Sequence, residues 1–360
     1  MTGPVDAAGR VMTVLGPVAP ESLGRTLVHE HLFIDLRRSS FVEPPGEVSG
    51  IADSPVSALD RGLLERFSCS VEDNLVLDDA ALAAKEVARF AEAGGGAIVD
   101  VTPIDIGRRP EDLRRVSRET GVAIVMGCGH YCEISYADGV ADRSEDELAQ
   151  AIVAELVHGV GESGVRPGII GEIGVNGEER GTRRLVGSMT ETERRVLRAA
   201  ARAATDSGAP MTIHLPSRAS SVRPVLSELE AVDAPFDRIS LSHMDSIPDF
   251  ALHEEALERG LWIQYDCFGM TLENDWYHDP GDEQRIAWLA RHREAGRLDR
   301  VLVSHDVWCK AQLAAYGGGG YDYLLTRIVP RLRETGFTET DLDQLFVRGP
   351  REFLTWRETT

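Results

Sequence analysis

The chain has 360 residues, 42% of them hydrophobic and 27% charged, the proportions of an ordinary globular protein. Its 59 acidic residues against 38 basic ones leave a formal charge of −21, which argues against nucleic acid or an anionic membrane as partner, since both need a basic face. Five cysteines without a CxxC pair, an opening that lacks signal-peptide character and the absence of a long apolar run argue against a disulfide framework and a membrane span, and for the cytoplasm.

Taken in chain order, one pattern recurs. TLVHEHLFIDL (26–36) reads as the first strand, and it carries His29, Glu30 and His31. Alternate residues of a strand share a face, so the two imidazoles point the same way. Residues 37–77, with Pro44, Pro45, Gly46 and Pro55, exceed ordinary loop length. Residues 78–96 read as a helix with Leu82, Val87 and Phe90 on one stripe, and their glycine run can stop it. Strand-type runs follow at 96–103, 122–131 (ending in His130 and Tyr131) and 168–175 (GIIGEIGV, holding Glu172). Residues 190–210 open with Thr190 three positions before Glu193, the spacing of a capping box. Further strand runs are 210–216 with His214, 238–245 with His243 and Asp245, 261–269 with Tyr265 and Asp266, and 300–306 with Asp306. A second long loop, 270–282, follows the seventh run and contains Trp276 and Tyr277. YGGGGY (316–321) lacks the Lys-Ser/Thr of a phosphate loop and reads as a flexible turn or lid hinge.

Apolar Ile/Val runs alternating with helices imply a parallel sheet buried on both faces. Eight such units predict a (β/α)8 TIM barrel in a single domain spanning 1–360, the barrel itself from about 24 to 350, with the long loops at the C-terminal face of the strands. An open doubly wound sheet is the rival, but it usually carries GxGxxG or GxxxxGK[ST] after its first strand, and neither occurs there.

The chemistry gathers at strand ends. A carboxylate such as Glu172 inside an apolar strand needs a partner, because an unpaired buried charge is costly. Four histidines (His29, His31, His214, His243) and two carboxylates (Glu172, Asp306) at one end of a barrel suit a pair of divalent transition-metal ions. Arg218, just past the fifth strand, can grip an anion by a bidentate pair. Tyr131 and Asp266 are further substrate-binding candidates, Asp245 a residue that orients a ligand, and Trp276, Tyr277 and Trp308 walls of an apolar pocket. Thiol catalysis by Cys128, Cys132 or Cys267 is the weaker reading, because the histidines it would need serve better as ligands. GESG (161–164) is not a serine-hydrolase elbow.

The combination of HEH on the first strand, EIG on the fourth, a strand-ending His on the fifth, SHxD on the sixth and SHD on the eighth resembles the phosphotriesterase branch of the amidohydrolase superfamily, from about Val11 to Trp356. GRVMTVLG (9–16), LGRTLVHEHL (23–32), GIIGEIG (168–174), YDCFG (265–269) and YGGGGY (316–321) are most similar to its phosphotriesterase-related, N-acetyltaurine hydrolase-like subfamily. The resemblance implies two metal ions, commonly zinc, with Mn, Co, Ni or Fe also acceptable. His29, His31 and Asp306 would hold the inner ion, and His214 and His243 the outer. Glu172 would bridge them where other phosphotriesterases use a carboxylated lysine. It further implies a bridging hydroxide that attacks a carbonyl or phosphorus centre, with Asp306 accepting its proton. The substrate is then a small anionic amide or ester of N-acyl amino acid or N-acyltaurine type. A lactonase or phosphotriesterase is the alternative on the same site, and a metal-binding barrel without catalysis the alternative of another class. A homodimer is expected on the resemblance alone.

Overall fold

The computed structural model describes residues 7–180, 185–270 and 279–358. After a small hairpin (Val11–Thr13 with Gly16–Val18), eight parallel strands follow: β1 Arg25–Glu30, β2 Gly95–Asp100, β3 Ala123–Cys128, β4 Ile169–Gly174, β5 Met211–His214, β6 Ile239–Leu241, β7 Trp262–Tyr265 and β8 Val301–Val303. Each pairs with the next in chain order, as Ala97 with Ala123 between β2 and β3 and Tyr265 with Val303 between β7 and β8. Backbone bonds beyond the regular strands bring β8 back to β1: Asp306 N–H donates to His29 O at 3.2 Å and His31 N–H to Val307 O at 3.2 Å. The (β/α)8 expectation is met.

The outer ring includes α1 Ala80–Glu92, α2 Pro110–Thr120, α3 Glu145–His158, α4 Glu191–Ser207, α5 Val222–Ala231, α6 Phe250–Glu258 and α7 Asp282–Glu294. The expected capping box of α4 is present, with Thr190 and Glu193 bonding reciprocally. The glycine run after α1 has a second purpose besides ending the helix. A Cβ on Gly95 would lie 2.2 Å from the Phe90 ring, and one on Gly96 2.2 Å from Leu23 O, so β2 begins where side chains do not fit.

Several runs are shorter than the sequence suggests. β1 ends at Glu30, and Ile34–Asp35 pairs antiparallel with Val76–Leu77 outside the barrel. β6 and β8 stop early because His243 (φ 58°) and Asp306 (φ 52°) take left-handed backbone conformations that turn the chain out of the strand. The 37–77 segment is no bare loop. It holds two short helices, Arg37–Ser40 and Arg61–Arg66, and a small apolar core of Ile51, Val56, Leu64 and Val71 packed with Cys309 and Ala311. YGGGGY is a packed turn and not a hinge: a Cβ on Gly318 would meet the Gln312 carbonyl at 2.2 Å, and Gly320 N–H donates to Gln312 O at 2.8 Å. Of the 270–282 loop, residues 271–278, with Trp276 and Tyr277, lie outside the described residues.

Behind β7 a buried chain of polar groups joins three elements. His253 of α6 donates from Nε2 to Ile247 O at 2.9 Å, so its Nδ1 accepts from Tyr265 Oη at 2.7 Å. Tyr265 Oη in turn accepts from His292 Nε2 of α7 at 3.1 Å. Both imidazoles are fully enclosed. Burial pushes His253 down to about 4 and, with the neighbouring His253, His292 to about 3. Both are therefore neutral at pH 7 in the fold. The unfolded chain takes up their protons below about pH 6.5, so the stability they confer is present above that pH and lost as pH falls. At pH 5 the His292 contribution is diminished by on the order of 2 kcal/mol. Thermal melts of the metal-loaded protein from pH 7 to pH 5 should show a steeper loss of Tm than the His292→Gln variant; equal slopes would contradict this.

Candidate metal centre

The alternation of β1 sends His29 and His31 into the barrel mouth and Glu30 to the other face. His29 Nδ1–H donates to Gln264 Oε1 at 3.0 Å and lies 3.1 Å from Asp266 Oδ2. Its Nε2 is buried without a hydrogen-bond partner, 3.4 Å from Glu172 Oε2 and 3.7 Å from Asp306 Oδ1. His31 Nδ1–H donates to Thr102 Oγ1 at 2.8 Å, leaving Nε2 3.3 Å from Glu172 Oε1 and 3.3 Å from Asp306 Oδ1. His243 Nδ1–H donates to Asp266 Oδ1 at 3.0 Å. Its Nε2 stands 2.9 Å from His214 Nδ1, which is itself 3.1 Å from Glu172 Oε2.

All six expected ligands thus converge. Among the described residues four overlapping groups, each with ligand atoms within 4.8 Å of one another, could hold a cation: His29–His31–Glu172, His29–His243–Asp306 and Glu172–His214–His243 from the expected set, and His243–Asp266–Cys267 beside them. Burial alone would raise the Glu172 carboxyl, but hydrogen bonds and attraction from His214, His29 and His31 outweigh it and hold it well below the usual carboxylate range. An anion shared between groups, facing an orphaned buried imidazole nitrogen, has the chemistry of a divalent-cation site. The residues fit two such ions.

Asp306 is fixed through its backbone. Besides the bond to His29 O, its carbonyl accepts from Gln312 Nε2 at 2.8 Å, and its side chain faces the cleft. Glu30 staples this turn from behind. It accepts from Ser304 Oγ (2.7 Å), His305 N (3.0 Å), His305 Nδ1 (2.7 Å) and Val307 N (2.9 Å). Sequence reasoning did not assign Glu30 a part, although its position between the two histidines, on the opposite face, was the available sign.

Two expected roles change. Asp266, expected to meet substrate, is fully buried beneath His29 and His243, so it acts through those rings. Those imidazoles outweigh burial and hold its carboxyl well below the ordinary range. Asp245 does not touch the His243 ring. It accepts from Cys267 N at 3.0 Å and pairs with buried Arg285 at 2.6 Å, thereby fixing the turn that carries Asp266. Burial pushes it up to about 7, with Arg285 opposing.

Above the ligands lies a cleft of about 370 Å³. Tyr131 borders it with Oη 3.2 Å from His214 Nε2, and Arg218 borders it with Nη2 bonded to Asn176 O. Trp308 lines it too. Cys267 reaches the cleft, but burial and the surrounding carboxylates push its thiol well above its ordinary value, and Cys128 and Cys132 are likewise raised by burial. The raised thiols of these three disfavour them as nucleophiles.

Comparison with known proteins gives a consistent picture. The profile of the Phosphotriesterase family matches residues 9–354. An N-acetyltaurine hydrolase from Tetraodon nigroviridis is 34% identical over 97% of this chain and 99% of its own. A resiniferatoxin-binding protein from Rhodobacter sphaeroides superposes with a TM-score of 0.91 at 35% identity, covering 98% of both chains. The phosphotriesterase homology protein from Escherichia coli, solved with phosphate in its active site, gives 0.74 at 30% identity, over 93% of this chain and 99% of that one.

Proposed function

The chain belongs to the phosphotriesterase family, and on that premise we propose that it is a metal-dependent hydrolase of an amide or ester bond in a small anionic molecule of N-acyl amino acid or N-acyltaurine type. The observation that carries this is the convergence of His29, His31, Glu172, His214, His243 and Asp306 at the mouth of one barrel. His29, His31 and Asp306 would hold one ion and His214 and His243 the other, with Glu172 between them; zinc suits these donors, as do Mn, Co, Ni and Fe. When bound, such a pair supplies Lewis acidity and a water of near-neutral pKa.

The protein's own groups do the rest. Asp306, exposed to the cleft beside His31, is placed to accept a proton and return it to the leaving group. Asp266 holds Nδ1–H of His243 and adjoins that of His29, which keeps both Nε2 lone pairs aimed inward. Tyr131 Oη stands at the edge of the cleft, where it can donate to the oxygen that gains charge. Among the described residues lining the cleft, Arg218 is the permanent cation, and it meets the anionic end of the substrate. The five unbridged cysteines favour a reducing compartment, and no helix among the described residues is long and apolar enough to cross a membrane.

Assay of N-acyl amino acids, N-acetyltaurine, lactones and paraoxon with Zn, Mn and Co tests the reading. Turnover of lactones or triesters alone would overturn it in favour of the lactonase or phosphotriesterase alternative. Within it, Arg218→Met should raise KM for anionic amides by about 10- to 100-fold, the worth of a charge-assisted bond, with kcat changed far less. The uncharged amide of the same acyl group should be indifferent. Equal losses on both substrates would remove Arg218 from substrate binding.

A further inference from the structure

The cleft is divided by polarity, and the strand order fixes which parts oppose each other. β1 follows β8 around the barrel, and β5 lies across from them. From the β1, β7 and β8 side come Ile34, Leu36, Met270 and Trp308. Ser39 and Ser40 also stand on this side, but Ser39 Oγ lies 3.4 Å from Leu36 O and 3.3 Å from Ser40 Oγ, so these hydroxyls have neighbours of their own. From the β3, β4 and β5 side come the polar Tyr131, Asn176, Glu178, Ser217 and Arg218, with Leu215 and Pro216 the apolar residues among them.

The apolar side has a firm backing. Trp308 and Met270 pack on the small core formed by the 37–77 segment. Gln312 binds that wall to the reacting centre: its Oε1 accepts from Trp308 N at 2.9 Å, while its Nε2 donates to Asp306 O at 2.8 Å and reaches Met270 Sδ at 3.8 Å. The apolar wall therefore begins beside Asp306. An acetyl group reaching the metal ligands with its anionic tail at Arg218 would leave this wall in water, and apolar surface gains by being covered.

We propose that the substrate carries an acyl group larger than acetyl, an unbranched aliphatic chain or an aromatic ring, seated against Ile34, Leu36, Met270 and Trp308 while its anionic end meets Arg218. This rests on the amide-hydrolase reading and specifies the acyl half of its substrate. The two poles fix the orientation: amine-side anion toward β5, acyl chain toward β8 and β1.

The experiment is a chain-length series of N-acylglycines (acetyl, butyryl, hexanoyl) and phenylacetylglycine on the metal-loaded enzyme. The wild type should show kcat/KM rising about fourfold per added methylene until the wall is covered. In Trp308→Ala the hexanoyl-to-acetyl ratio should fall by about tenfold or more. Binding is read apart from turnover as a change in tryptophan emission when N-hexanoylglycine and N-acetylglycine are titrated into the Asp306→Asn variant, with the longer ligand expected to bind more tightly. Turnover of the series with acetyl preferred, or with no length dependence, would overturn this inference and leave the amide reading standing. No turnover of any N-acylglycine, with lactones or triesters accepted, would overturn both. The wild-type series decides even where a variant folds poorly.

Discussion

Replacing Asp306 with Asn should abolish turnover, lowering kcat by about 10³-fold or more, while the barrel stays folded and at least one metal ion stays bound. The side chain keeps its size, and the backbone that places it is fixed independently. Asp306 N–H donates to His29 O, its carbonyl accepts from Gln312, and Glu30 clasps both neighbours of the turn. What the amide loses is charge and basicity. It cannot take a proton, a step worth about 10²- to 10⁴-fold in general-base catalysis. It is also a weaker donor to the cation it would share with His29 and His31. His31, Glu172 and the other imidazoles persist, so metal content should fall by less than activity. Steady-state kinetics, elemental analysis and circular dichroism on the same preparation check all three. A variant with kcat within about tenfold of the wild type would contradict the assignment of Asp306 as proton acceptor.

The barrel was legible because its strands are buried on both faces and read as uninterrupted Ile and Val, as in GIIGEIGV. The ligands were legible for a related reason. A histidine or acid inside or ending such a run has few explanations, and His29, His31, Glu172, His214, His243 and Asp306 do converge. The supporting residues were harder to read because spacing fixes a position along a strand and not the partner across space. Asp266 ends its strand as a substrate-binding acid would, yet its partners are His29 and His243, more than 20 residues away in sequence. Asp245 lies two residues from His243, but the guanidinium that claims it is Arg285 of α7. Glu30 meets groups about 275 residues distant. The 37–77 segment has too little periodicity to announce that it builds a core against Cys309 and Ala311. Strand ends were overestimated where His243 and Asp306 turn left-handed, a conformation that Asp and His adopt more readily than most residues but still too rarely for local sequence to announce it.

Glu172→Gln isolates the anion between the two proposed ions. The change is isosteric, and Glu172 N–H donates to Val101 O through the backbone whatever the side chain, so β4 should pair as before. Three imidazoles, those of His29, His31 and His214, have a ring nitrogen within 3.4 Å of its carboxylate oxygens. A neutral amide presents one acceptor oxygen to them and turns an NH2 donor toward the other position. One cation site then faces a donor and loses the full negative charge that offsets two close dications. Metal content should fall toward one ion per chain, and activity by roughly two to four orders of magnitude, regained only in part by excess metal. Metal titration followed by elemental analysis separates this from simple unfolding, since far-UV circular dichroism should be unchanged. Two ions per chain at wild-type affinity, with kcat undiminished, would show that the pair does not depend on this carboxylate. It would also leave the lowered pKa of the Glu172 carboxyl explained by its histidine neighbours alone.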